Sequence, residues 1–91
     1  MNIFYETLVD KVIDHNSSDF NTVCCIEEMS ELTKVLTKKL RNSPKFTKDS
    51  LLEEISHVKL MCDVIAKEHG LTKKDIFKEQ QKAVSRMGEN K

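Results

Sequence analysis

The chain is short of everything that interrupts a helix: 91 residues hold two glycines and one proline. A sequence with so few breakers excludes a turn-rich all-β sandwich and points to helices joined by brief connections. Tryptophan is absent and tyrosine occurs once, so a large aromatic core is excluded as well. Charge of one sign is also missing, because 15 basic residues balance 15 acidic ones. Such a chain has no general attraction for nucleic acid or anionic membrane, and any phosphate binding is local. No stretch approaches the roughly 20 apolar residues of a membrane span, and Met1–Phe20 lacks the basic start and apolar run of a signal peptide. A cytoplasmic protein is therefore expected. Adjacent Cys24 and Cys25 are poorly placed to bridge each other, and Cys62 falls mid-helix, so reduced packing thiols are expected too.

What is present is helical periodicity. Helices are expected at about residues 2–14, 20–42, 48–69 and 73–88, in one domain spanning 1–91. Ser17, Ser18 or Asp19 can cap the second, and "NSPK" ends it. Thr47 or Asp49 can cap the third, with Gly70 closing it in a left-handed conformation. Thr72 and Asp75 form a capping-box pattern before the fourth, and the last three residues are expected to fray. Phe4, Leu8 and Val12 mark one face of the first helix. Met29, Leu32, Leu36 and Leu40 mark the expected core stripe of the second. Ile76, Phe77, Gln80, Ala83, Val84 and Met87 share a side of the fourth. A lone domain of this size buries little more than about 60% of its unfolded surface, so self-association would add needed stability.

Three carboxylates crowd the stretch "CIEEMSEL": Glu27, Glu28 and Glu31. Like charges at helical spacing repel by a few tenths of a kcal/mol per pair, which calls for compensation. The opposite side of that helix from the expected core carries Glu27, Glu31, Lys34, Lys38 and Arg41, which a solvated face with local ion pairs would also explain. The third helix narrows the choice. Glu54 sits mid-stripe among Leu51, Val58, Met61, Val64 and Ile65, with His57 one turn on. A carboxylate there needs a proton, a salt-bridge partner or a metal. Lys34, Lys38 or a base from the fourth helix could supply a bridge, and a lone His on such a face is most often a hydrogen-bonded core residue. If the second and third helices pack antiparallel with Glu28 and Glu31 facing Glu54 and His57, the oxygen-rich set suits Mg²⁺ or Mn²⁺.

"EEMSELTKVLTKKLR" followed by "LLEEISHVKLMCDVI" resembles the all-α nucleoside triphosphate pyrophosphohydrolases of the MazG-like superfamily, in the short form common in bacteriophages. The family pattern is ExxE preceded by a further Glu, then ExxD after a spacer. Glu27, Glu28 and Glu31 fit the first part and Glu54 the second, with 22 residues between Glu31 and Glu54. The resemblance implies a four-helix bundle within a dimer or larger homo-oligomer, hydrolysing a nucleotide to monophosphate and pyrophosphate with Mg²⁺ or Mn²⁺. It implies Glu28, Glu31, Glu54 and His57 as metal ligands and Glu27 as a ligand or the group orienting water. Lys38, Arg41, Lys82 and Arg86 would be phosphate-binding cations. A phage-encoded protein of this kind would work in the bacterial host cytoplasm. The departure is His57, which stands where the pattern has Asp, replacing an anionic oxygen with a neutral nitrogen. Two alternatives follow: a relative that binds or sequesters a nucleotide without turning it over, or a helical interaction module whose carboxylates only form ion pairs.

Overall fold

The computed structural model describes residues 2–89, which form four helices: α1 (Ile3–His15), α2 (Ser18–Leu40), α3 (Lys48–Glu68) and α4 (Lys73–Glu89). No strand occurs among the described residues, so the fold is all-α. None of these helices is long and apolar enough to cross a membrane. Asn90 and Lys91, two of the residues expected to fray, lie outside the described residues.

Local chemistry sets each helix start. The Ser17 hydroxyl accepts from the Phe20 amide at 3.1 Å, and the Thr47 hydroxyl accepts from the Ser50 amide at 3.0 Å. Each satisfies one of the amides a helix N-terminus leaves free. The capping box before α4 closes in both directions: Asp75 N–H donates to Thr72 Oγ1 at 3.1 Å, and Thr72 N–H donates to Asp75 Oδ2 at 2.9 Å. Those bonds hold the Asp75 carboxyl below its usual range. Gly70 (φ 69°) reverses the chain after α3, and Asn42 (φ 54°) does so after α2. Both sit in the left-handed region that Gly and Asn tolerate best.

The core is small and lies where α1, α2 and α3 meet. Val9, Cys25, Met61 and Val64 are buried, with Tyr5, Val12, Ile13, Cys24, Leu60 and Ile65 packed around them. Val64 is fully enclosed, as is Asn21, whose Nδ2 donates to Glu68 Oε2 at 3.1 Å. Polar clamps tie α1 to α3: Tyr5 donates its hydroxyl to Asp63, and Lys67 Nζ donates to Asp10 and Glu6. Burial, reinforced by the Asp63 bond, pushes the Tyr5 phenol above its ordinary range, so it remains a donor. The Asp10 bond does the most to hold Lys67 above its ordinary value.

Three apolar stripes read from the sequence do not face this core. On α1 the inward line is Tyr5, Val9, Val12 and Ile13, whereas Phe4 and Leu8 are exposed. On α2 the buried residues are Asn21, Cys25 and Val35, with Leu32 half-buried, and Met29, Leu36 and Leu40 are 44%, 43% and 83% exposed. Choosing Cys25 and Val35 turns α2 so that Glu28 faces α3. The expected α4 stripe exists but packs on nothing within the chain: α4 runs beside none of the other helices, and Phe77, Val84 and Met87 are exposed. Instead of a four-helix bundle, one chain thus forms a three-helix unit with a projecting helix.

Candidate metal centre

The antiparallel α2–α3 hairpin positions the cluster. Asn21 meets Glu68 near one end, and seven residues further along α2 Glu28 meets His57, so the register advances in step on both helices. One ligand atom each from Glu28, Glu54 and His57 lies within 4.8 Å of the others. Glu28 Oε2 and His57 Nδ1 are 3.0 Å apart. Glu28 and Glu54 are half-buried and His57 is exposed, so the cluster is open on one side. Beside it lies a hollow of about 270 Å³ lined by Cys24, Glu28, His57, Leu60 and Met61.

Glu54 is the strained member. Its Oε2 is shut away from solvent without a hydrogen-bond partner. Loss of solvent raises the Glu54 pKa most, and the Glu28 carboxylate raises it further. Glu53 and Glu31 add smaller pushes, and His57 opposes them. A cation among these groups would satisfy the orphaned oxygen and reverse the electrostatic cost. The donor set fits a divalent ion: two carboxylates and an imidazole supply three ligands, leaving positions for water and phosphate oxygens. One imidazole in the set favours Mn²⁺ and similar ions more than an all-oxygen site would.

The other expected site residues stand apart from this trio. Glu31, expected among the ligands, accepts from Lys34 at 3.2 Å on the exposed surface, near enough to act on Glu54 through its charge. Glu27 is exposed and lies about 100° around α2 from Glu28. Lys38 lies about 15 Å along α2 from Glu28, and Arg41 caps the end of that helix. On α4, Lys82 Nζ pairs with Glu79 at 3.1 Å, and Lys82 and Arg86 flank a shallow surface hollow with Glu79 and Ser85. Because α4 projects, the chain does not bring this basic pair to the carboxylates.

Sequence reasoning missed Cys24, Leu60 and Met61 as the apolar floor of the adjoining hollow. Spacing held the signal: Cys24 precedes Glu28 by one turn, and Leu60 and Met61 follow His57 by one. Compared with known proteins, the chain matches no family model, no curated protein and no solved structure.

Proposed function

We propose that this chain binds a divalent cation, Mg²⁺ or Mn²⁺, through Glu28, Glu54 and His57. In this reading it hydrolyses a nucleoside triphosphate to monophosphate and pyrophosphate. The observation that supports it is the meeting of Glu28, from the first acidic motif, with Glu54 and His57, from the second, across the α2–α3 contact. Glu54 carries an unpartnered, shielded oxygen at that meeting point, and cation binding gives such a carboxylate a role. A bound divalent cation supplies charge neutralisation to phosphate oxygens. Glu28, Glu54 and His57 hold it, and the exposed Glu27 carboxylate, with Glu31 one turn on, is available to orient the attacking water. Water adds to the α-phosphorus, the bond to the α–β bridging oxygen breaks, and pyrophosphate leaves. Lys38 and Arg41 are assigned to the departing phosphates, together with Lys82 and Arg86 if α4 is brought near.

A second reading, nucleotide binding without turnover, is favoured by the Glu28–His57 pair, which satisfies both side chains with no cation present. Pyrophosphate release from a panel of canonical and modified nucleotides, in Mg²⁺ and in Mn²⁺, separates the two. Release from at least one nucleotide is expected. Calorimetric binding with every nucleotide recovered intact would establish the second reading, and absence of both binding and release would end both.

A further inference from the structure

We propose that two copies of this chain pair antiparallel along α2, through a seam formed by Thr22, Ile26, Met29, Thr33, Leu36 and Leu40. These positions follow one another at intervals of four, three, four, three and four residues, the heptad spacing of helices that pack along a shared seam. No member is charged. Ile26, Met29, Leu36 and Leu40 are all large exposed hydrophobics in the single chain. The two threonine hydroxyls donate within their own helix, Thr22 to Ser18 O at 3.0 Å and Thr33 to Met29 O at 2.9 Å. Each hydroxyl therefore has its partner already, and covering the seam strands no donor. A seam of this length runs about 27 Å, most of the helix.

The size of the uncovered surface argues for a second copy. The chain exposes 7317 Å², whereas a compact monomer of 10.5 kDa exposes about 5,400 Å². That surplus of roughly 1,900 Å² is of the size each subunit contributes to an obligate dimer. The radius of gyration agrees, at 15.4 Å against about 12 Å for a compact chain of this length. The seam and the apolar side of α4 both lie within the surplus.

The charge order along α2 selects the direction. Its acidic residues, Asp19, Glu27, Glu28 and Glu31, all precede its basic residues, Lys34, Lys38 and Lys39, and Arg41 follows at the cap. Antiparallel pairing lays the acidic half of each helix against the basic half of the other, and parallel pairing would stack like on like. A two-fold axis near the middle of the seam then makes the interface self-complementary: Thr22 meets Leu40, Ile26 meets Leu36, and Met29 meets Thr33. Glu28 lies about 120° around α2 from the seam's midline, so pairing leaves the cluster accessible.

Light scattering of the full chain at micromolar concentrations tests the pairing. The wild type is expected at twice 10.5 kDa. Met29→Lys with Leu36→Lys is expected to give a monomer of unchanged helical circular dichroism. Phe77→Glu with Val84→Glu, on α4, is expected to remain a dimer. A monomeric wild type, or dissociation by the α4 pair and not by the seam pair, would overturn the proposal. To bypass any folding defect of the lysine variant, a photo-reactive benzoylphenylalanine at position 33 can be mapped in a mixture of ¹⁵N-labelled and unlabelled chains. Cross-links of mixed isotope landing on α2 near Met29 support the seam, and same-isotope or α4 cross-links refute it. These readouts do not depend on nucleotide chemistry.

Discussion

The two ends of the α2–α3 hairpin use the same helical spacing for opposite purposes. At the end covered by α1, Asn21, Cys25, Met61 and Val64 are buried, and the polar atoms around them are largely clamped by Tyr5–Asp63 and Lys67–Asp10. At the other end nothing covers the hairpin, and the inward positions go to Glu28, Glu54 and His57. The covered end supplies stability, and the open end holds charge that is poorly compensated. One helix pair thereby serves as both core and site, with the boundary one turn beyond Cys25.

Changes that break this contrast are expected to differ in size. Glu54→Gln removes a ligand and should lower metal-dependent nucleotide turnover by about 100-fold or more, checked by pyrophosphate release. It should also change the metal-free protein. The folded chain holds the Glu54 proton more tightly than the unfolded chain, so this stabilising contribution is full at low pH. It is lost as pH rises through the raised Glu54 value. Melting curves in chelator should show that acid-side gain in the wild type and its loss in Glu54→Gln. At the covered end, Val64→Ala should cost about 2 kcal/mol by urea unfolding while leaving metal affinity unchanged. His57→Asp restores a third carboxylate and should tighten Mg²⁺ by about tenfold relative to Mn²⁺, measured by calorimetry. Lys34→Ala removes an exposed partner of Glu31 and should change stability by no more than about 0.5 kcal/mol.

Much of the hairpin was legible before any coordinates. Ser17, Thr47 and the Thr72–Asp75 box act within one turn of their own positions, so their caps could be read residue by residue. Glu54 was legible because a carboxylate in the middle of an apolar stripe has few physical outcomes. The α2 core face was misread because the helix carries two apolar stripes, and local pattern alone does not rank them. Cys25, Leu32 and Val35 turn inward because Val9, Met61 and Val64 meet them, a fact held in other helices. Glu31 left the ligand set for the same reason, since the chosen rotation presents Glu28 to α3. The direction of α4 was illegible as well: its amphipathic pattern states that it wants a neighbour without saying which.

The left-handed Asn42 sits in a turn that only returns the chain, whereas the facing of Glu28 and His57 is set by helix register. Lengthening the two regions should therefore be tolerated unequally. A residue inserted between Asn42 and Thr47 extends a surface loop, at an entropic cost of well under about 1 kcal/mol, and leaves both helices facing as before. A residue inserted in α2 between Glu28 and Val35 swings Glu28 about 100° relative to the stretch beyond it. Homologous chains that vary in the loop and keep that helical interval constant would carry the imprint of a site held by register.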